Sequence, residues 1–458
     1  MTATPPHDNT EGPLPSPVRR FPEGATLSVA AVFGAAIVLA SLIVGLPALD
    51  RLTSSDEVAA EDETTTTTGG TSTTTPDDEA DEPAEDEETV PPTTDPEGEE
   101  STGDPEGEEE SSTACPEGTD PVICDAAAFV EQVRGRSFKT FPTVTLLTDA
   151  ELDAELAAEL DAVQNEIATD GVVLQALGLL DPDQSYVEVF RSLLAVGVVG
   201  FYDPADGRLV VQGTELDLYA QAVLVHELTH AFDDQWFDIA RDHSDDEEAY
   251  GFTAVVEGNA SRVDQLWVAS LDPEERAAYA QQEREAISDA DLAIFASLPE
   301  VARLLQASPY VDGLTYVADL AAAGGEDAVD EALTTPPTSS EEILHPGLDR
   351  LDDLEIVVPV PSIDAGVEPL ENGRLGELVV RQWLGRVAAD GWGGDRYVSW
   401  LAGSASCIRV DLITDSAADQ QDLAAAVEAW VAVDPTRRGA EPVQTEAGAL
   451  LRVTGCSA

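Results

Sequence analysis

Basic side chains are scarce in this chain of 458 residues. Lys139 is its single lysine, and lysine and arginine together number 22 against 91 aspartates and glutamates, so the formal net charge at pH 7 is -69. A surface of that sign repels phosphate backbones, which argues against nucleic-acid binding. High-salt adaptation and solubility outside the cell both agree with such a charge.

Cysteine is scarce too, with four in the chain. Cys115 and Cys124 bracket a short loop, and Cys407 and Cys456 each lie beside a strand-like run near the C-terminus. We predict two local disulfides, Cys115–Cys124 and Cys407–Cys456. A zinc site of four cysteines is the rival interpretation, but the CxxC spacing typical of such sites is absent.

Histidine occurs five times, and two of the five fall in one pentapeptide, His226-Glu-Leu-Thr-His230. This is an HExxH motif. Side chains four residues apart share one face of a helix, so both imidazoles can bind one Zn²⁺ while Glu227 acts as general base on a water molecule. The flanking residues are apolar, which favours a packed helix over a surface helix with solvated histidines. The sequence therefore predicts a zinc site on a helix at about 215–237.

A catalytic zinc needs a third protein ligand. Glu257 is the favoured candidate because it interrupts an apolar helical run, where a charge is costly unless it is paired or binds a metal. Its small neighbour Gly258 would let this helix pack closely against the HExxH helix. The alternatives are His243 and the pair Glu247 and Glu248.

The N-terminal part contains one long apolar stretch, residues 27–49, which is uncharged and long enough to cross a bilayer as a helix. Arg19 and Arg20 precede it, and beyond Arg51 no basic residue occurs until Arg134. The positive-inside rule places residues 1–26 in the cytoplasm and the rest outside the cell membrane. A cleaved signal peptide is the alternative, although its apolar region would normally be shorter.

Residues 50–113 are mostly Thr, Glu, Asp, Pro and Gly, with the hexapeptide Asp-Pro-Glu-Gly-Glu-Glu repeated at Asp95 and Asp104. Such a composition cannot form a core, and its like charges repel one another. We therefore expect a disordered acidic stalk that holds the folded part away from the membrane.

The remainder predicts an α+β protein in two parts, a mostly helical domain over 114–350 with a small antiparallel sheet, and an α+β subdomain over 351–458. Thr148 opens a helix with a capping-box pattern, and the β-prone runs 198–202 and 208–212 form a hairpin directly before the HExxH helix. In the C-terminal part, 377–389 and 417–431 are expected to be helical and 407–413 and 449–453 extended.

The motif and the proposed third ligand resemble those of the gluzincins, zinc metallopeptidases in which a glutamate from a second helix completes the HExxH site. His226, Glu227, His230 and Glu257 match that pattern. Many gluzincins carry an aspartate four residues after the ligand glutamate, hydrogen-bonded to a histidine, whereas this chain has Ser261 there. The residues that could replace that aspartate are Asp233, Asp234 and Asp264.

The resemblance also implies a zincin-like fold, in which an antiparallel edge strand precedes the metal-binding helix and pairs with an extended peptide. Arg208–Gln212 is the candidate edge strand, and an ordinary hairpin that covers the core is the alternative.

The wider layout, from about 125 to 453, is similar to uncharacterised actinobacterial membrane-anchored HExxH proteins. The similar segments are Gly200-Phe-Tyr-Asp-Pro, Val256-Glu-Gly-Asn-Ala, Pro309-Tyr-Val-Asp-Gly, Ser339-Ser-Glu-Glu-Ile-Leu-His-Pro and Gly391-Trp-Gly-Gly-Asp-Arg-Tyr.

The function expected is hydrolysis of peptide bonds in a peptide or protein substrate, with Zn²⁺ as cofactor and Glu227 as the base. Tyr310 and His345 are the candidates for a further hydrogen-bond donor to the transition state, and each could equally be a packing residue. A catalytically silent binding protein and a structural protein with a stabilising zinc are the alternatives. The oligomeric state cannot be read from the sequence.

Overall fold

The computed structural model describes residues 115–347, 355–445 and 448–458. The predicted cytoplasmic tail, membrane helix and stalk lie outside these ranges. Within them, no helix is both long and apolar enough to span a bilayer. The described part is a mixed α+β structure with small sheets, as the sequence predicts.

The helices are Pro121–Arg134 (α1), Asp149–Leu177 (α2), Tyr186–Gly197 (α3), Leu218–Phe237 (α4), Asp246–Ser270 (α5), Pro273–Ala286 (α6), Asp289–Ser297 (α7), Glu300–Gly324 (α8), Glu326–Thr334 (α9), Ser340–Leu344 (α10), Gly376–Leu384 (α11), Arg386–Ala389 (α12) and Asp419–Val433 (α13). The strands are Thr143–Leu147 (β1), Gly200–Asp203 (β2), Arg208–Gln212 (β3), Glu371–Gly373 (β4), Trp392–Ala402 (β5), Ala405–Thr414 (β6), Arg438–Thr445 (β7) and Gly448–Cys456 (β8).

The first sheet has the order β1-β3-β2. The predicted hairpin is confirmed, since β2 pairs with β3 in antiparallel register from Gly200 opposite Val211 to Asp203 opposite Arg208. However, β1 pairs with the other side of β3 in parallel, so the sheet is mixed and not antiparallel. The prediction that Arg208–Gln212 is an edge strand is therefore wrong. This strand is central, and β1 and β2 form the edges.

The second sheet is antiparallel, with the order β4-β5-β6-β8-β7. Cys407 on β6 lies opposite Cys456 on β8 in the register, and the two form a disulfide. Cys115 and Cys124 form the other disulfide, so both predicted pairs are confirmed. The end of α2 packs against this sheet. The indole N–H of Trp430, on α13, donates to the carbonyl of Leu177 at the end of α2 at 2.9 Å.

The HExxH motif lies in the middle of α4. The side chain of Asp217 caps the start of this helix by accepting from the N–H of Ala220, and Asp238, with φ of 56°, ends it in a left-handed turn. The helix is buried over most of its length, because α1, α5, α6 and the first sheet all pack on it. The motif therefore belongs to the core, as its apolar flanks predict.

Two glycines allow α5 and α8 to cross in close contact. A Cβ atom at Gly258 would overlap the backbone of Gly313, and a Cβ atom at Gly313 would overlap the carbonyl oxygen of Ala254. Since Gly258 directly follows Glu257, the position of this glutamate depends on how closely the two helices approach.

Candidate metal centre

Three side chains converge where α4 crosses α5. The Nε2 atoms of His226 and His230 each lie 3.3 Å from Oε2 of Glu257. One ligand atom from each of the three residues falls within 4.8 Å of the others, and all three residues are buried. The structure thus brings together the residues that the sequence predicts as metal ligands, and the group can hold a metal ion.

The chemistry of this group fits a cation. Both ring nitrogens of His230 are buried and make no hydrogen bond of ordinary geometry. A buried donor or acceptor without a partner is costly, and coordination of a cation by one of these nitrogens would offset that cost. Two imidazoles and a carboxylate form a set that zinc readily accepts.

His226 and Glu257 attract each other electrostatically, and this shifts the pKa of each. Burial disfavours the protonated form of His226, but the carboxylates of Asp264 and Glu257 outweigh that effect and raise its pKa to about 10. Burial likewise disfavours the ionised form of Glu257, but the two imidazoles lower its pKa to about 2. Binding of a metal at this group would therefore release protons.

Glu227 directly follows His226 on α4 and is fully buried. Neither carboxylate oxygen makes a hydrogen bond of ordinary geometry, although the backbone N–H of Tyr202 lies close enough to lower the pKa of the group. Burial raises its pKa to about 7, although His230 and His226 lower it, and Glu257 adds to the rise. A carboxylate with such a pKa is suited to accept and return protons near neutral pH.

Asp264 orients one of the two histidines. The ring N–H at Nδ1 of His226 donates to Oδ2 of Asp264 at 2.9 Å, which turns Nε2 toward Glu257. Asp264 follows Glu257 by two turns of α5, so both carboxylates lie on one face of that helix. Of the three aspartates considered from the sequence, Asp264 therefore takes the position beside a ligand.

The other two aspartates lie at the end of α4 and have different partners. Asp233 is fully buried and accepts from Nδ2 of Asn259 at 2.6 Å, with the guanidinium of Arg134 at 3.4 Å. Asp234 accepts from the hydroxyl of Tyr202 at 2.8 Å. The contact between Asp233 and Asn259 joins α4 to α5 just beyond the ligands. Sequence analysis missed Asn259, although it lies two residues after Glu257.

The alternative third ligands lie elsewhere. The ring of His243 packs against Phe252, with centroids 5.2 Å apart. Glu247 accepts from the backbone N–H of Ser340 at 2.8 Å, and Glu248 accepts from the N–H of Ser244 at 2.8 Å. Glu257 is thus the candidate that contacts both histidines of the motif.

The two candidate transition-state donors differ in position. Tyr310 on α8 is buried, and its ring lies against that of His226, with centroids 6.2 Å apart and planes 24° apart. His345 donates from Nε2 to Glu377 at 2.9 Å, and this hydrogen bond raises its pKa. Among the described contacts, none joins His345 to the metal centre.

Comparisons with models of protein families, with curated proteins and with solved structures found no match to this chain.

Proposed function

We propose that this chain is a zinc-dependent peptidase that hydrolyses peptide bonds with Glu227 as general base. The observation that carries the proposal is the convergence of His226, His230 and Glu257, with the buried carboxylate of Glu227 beside them. A set of three ligands is typical of catalytic zinc, since a structural site usually has four. The gluzincin-like motif and a zincin-like fold belong to the same proposal.

Each residue has a defined role in the proposed reaction. His226, His230 and Glu257 would hold Zn²⁺, which when bound supplies a Lewis acid that polarises a carbonyl group and lowers the pKa of water. Glu227 takes the proton of the attacking water and passes it to the leaving amine. Asp264 holds the ring of His226 in the orientation that binding needs.

Tyr310 is the proposed donor to the oxygen that becomes negative during the reaction. Its ring lies against that of His226, whereas His345 is hydrogen-bonded to Glu377. A hydrogen bond to a developing oxyanion is stronger in a dry site than in water, and Tyr310 is buried.

The proposed location is the outer face of the cell membrane, with residues 27–49 as the single anchor and residues 50–113 as the stalk. Both segments lie outside the described residues, so this part depends on the sequence. The two disulfides agree with it, because disulfides persist in oxidising compartments.

A zinc ion that only stabilises the fold is the second candidate, and the burial of all three ligand residues favours it. The two functions differ in what metal removal does. If the ion only stabilises the fold, chelation should make the protein less stable, and the metal-loaded protein should cleave no peptide. A catalytic ion would give cleavage that chelation abolishes.

The test is a digest of a diverse peptide library by zinc-loaded protein and by the variant Glu227→Gln. We expect the variant to keep one zinc per chain, to retain its unfolding temperature and to lose about 100- to 10,000-fold in cleavage rate, because it lacks the base. Glu248→Gln, which removes a carboxylate at the start of α5, serves as the control and should cleave like the wild type. Equal cleavage by Glu227→Gln and the wild type would refute the mechanism.

A further inference from the structure

A cavity of about 200 Å³ lies between α2, α3, α5, α8 and the chain around α11. Most of its wall is apolar, and this part includes Val173, Leu174, Phe190, Ala302, Leu305 and Leu378. An apolar cavity of about 150 Å³ accepts a molecule the size of benzene. The space is therefore large enough for the apolar body of a small organic molecule. The residues of the metal centre do not line this cavity, so it is a separate feature of the fold.

Three buried polar side chains interrupt the apolar wall, those of Glu247, Thr253 and Gln306. Within the described ranges, the side chains of Thr253 and Gln306 make no hydrogen bond, although Thr253 is 6% and Gln306 4% exposed. A buried hydroxyl or amide without a partner is costly. A ligand that forms hydrogen bonds with these two groups would offset that cost.

Glu247 is the buried acid of the cavity wall. Its Oε2 atom accepts from the backbone N–H of Ser340 at 2.8 Å and from the hydroxyl of Ser340 at 3.1 Å. The guanidinium of Arg374 is close enough to favour ionisation of Glu247, but its own ion pairs are with Asp245 and Glu355. Among the described residues, none therefore forms an ion pair with Glu247. A buried carboxylate is costly unless a positive charge compensates it.

The opening of the cavity favours a cation over an anion. Partly exposed charged residues surround it, and among the described ones the acids Asp170, Asp245 and Asp246 outnumber the bases Arg241 and Arg374. The formal net charge of the chain, -69, has the same sign. Such a field raises the local concentration of cations and repels anions.

We propose that this cavity binds an organic amine, whose ammonium group pairs with the carboxylate of Glu247 and whose apolar body fills the space between α2, α3 and α8. The oxygens of Thr253 and Gln306 are then available to the ammonium N–H groups. A neutral ligand would leave Glu247 without a counter-charge. Ca²⁺ or Mg²⁺ needs about six oxygen ligands, which a mostly apolar wall does not supply. The proposal is independent of the proposed peptidase function.

Hexylamine is the probe, and its binding to the full-length protein is measured by calorimetric titration in about 0.15 M salt, which screens the surface charges. Hexanol and hexanoate carry the same apolar chain with a neutral and a negative head group. We expect hexylamine to saturate a single site and to bind at least about tenfold more tightly than hexanol, with no binding of hexanoate. Equal affinities for hexylamine and hexanol would overturn the proposal.

Glu247→Gln tests the ion pair, because it removes the charge but keeps an oxygen that accepts from Ser340. The affinity for hexylamine should fall at least about tenfold, to that for hexanol. Glu248→Gln is the matched control, since Glu248 does not line the cavity, and it should bind like the wild type. If Glu247→Gln does not fold, Gln306→Leu replaces it and should weaken hexylamine binding about fivefold. Unchanged affinity in the folded variants would contradict the proposal.

Two further variants locate the bound amine by filling the cavity. Val379→Phe adds a ring from α11, and Leu305→Phe adds volume from α8. Each should weaken the binding of hexylamine and hexanol alike by at least about tenfold, because the added atoms occupy the space of the apolar chain. Val387→Phe is the control, since Val387 is 63% exposed on α12 and does not line the cavity. Hexylamine binding that both filled variants retain, with unchanged unfolding temperatures, would place the amine elsewhere and refute the site.

An ammonium group on an apolar chain occurs both in free amines and in the side chain of lysine. Acetyl-lysine methylamide distinguishes these sources. If it binds more tightly than hexylamine, the ligand is a lysine side chain of a protein or peptide, and if it binds more weakly, the ligand is a free amine. If neither compound binds, the proposal is wrong, while the peptidase function stands, because no step of that reaction uses the cavity.

Discussion

Asp264 is the residue on which the orientation of His226 depends. Its carboxylate fixes the ring through Nδ1, so the other nitrogen faces Glu257. Such a contact also raises the basicity of the ring and with it the affinity for a metal. Ser261, at the position where many gluzincins carry the aspartate, is a small buried residue of α5.

We expect Asp264→Asn to weaken zinc binding by about 10- to 100-fold, because the amide is a weaker acceptor for the ring N–H and carries no charge. Ser261→Ala, on the same helix, should leave zinc affinity unchanged. Competition with a chelator of known affinity measures both. Equal zinc affinity of Asp264→Asn and the wild type would show that Asp264 does not position the ligand.

The candidate ligands could be predicted from sequence because their chemistry is local. HExxH fixes two imidazoles on one helical face, and Glu257 stands out as a charge in an apolar run. Asp264 was one of three options, since the choice depends on how α4 crosses α5. The role of Asn259 could not be predicted from the sequence, because its hydrogen bond to Asp233 depends on how α4 and α5 pack together.

At the scale of elements, the centre depends on close packing of α5 between α4 and α8. Gly258 and Gly313 remove two Cβ atoms from the crossing, so the backbones of α5 and α8 come into direct contact. Tyr310 lies one turn before Gly313 on α8, so the same crossing sets its place beside His226. The crossing thus fixes a ligand and the proposed donor together.

Gly313→Ala should disturb the positions of both Glu257 and Tyr310. The added methyl group overlaps the carbonyl of Ala254, so α8 must move away from α5, at a cost of about 1–3 kcal/mol in the free energy of unfolding. Zinc affinity should fall as well, since Glu257 lies at the crossing. Gly439→Ala is the control, because a Cβ atom there would meet nothing within 4 Å. Chemical denaturation and zinc titration measure the two effects. Unchanged stability of Gly313→Ala would contradict this account.

Helix caps and hairpins could be predicted from the sequence, but the pairing of segments far apart in the chain often could not. The capping box at Thr148 and the hairpin from β2 to β3 are confirmed, because turn and cap residues act on their neighbours. The central position of β3 was missed, since its pairing with β1 joins segments far apart in sequence. The helix predicted at 377–389 is split at Gly385, whose φ of 89° breaks the helical backbone.

At the scale of the whole molecule, the excess of acid reaches the interior. Glu247 is fully buried at the start of α5, and burial raises its pKa to about 8, with Asp395 adding to the rise and the hydrogen bonds from Ser340 opposing it. Asp395 is also buried, and burial raises its pKa to about 6. Between the ordinary and the raised pKa values, these two carboxyls are therefore protonated in the folded protein and ionised in the unfolded chain.

This difference gives stability a pH dependence of known sign. The ordinary pKa of a glutamate is 4.5, and that of Glu247 in the folded chain is about 8. Between these values the folded state binds more protons than the unfolded state, so the free energy of unfolding falls as pH rises from 4.5 to 8. The loss assigned to Glu247 is on the order of a few kcal/mol. Repulsion among the surface acids acts in the same direction.

Glu247→Gln isolates the buried group. The amide oxygen can still accept from Ser340 but does not ionise, so the decline in stability between about pH 5 and 8 should be shallower than in the wild type. Glu248→Gln removes the same formal charge from the next, partly exposed position and should decline like the wild type. Urea denaturation at half-unit steps of pH compares the three proteins, and protonation of the metal ligands affects all of them equally. Parallel curves for Glu247→Gln and the wild type would mean that Glu247 ionises alike in the folded and unfolded chains, and the surface charge alone would then account for the decline.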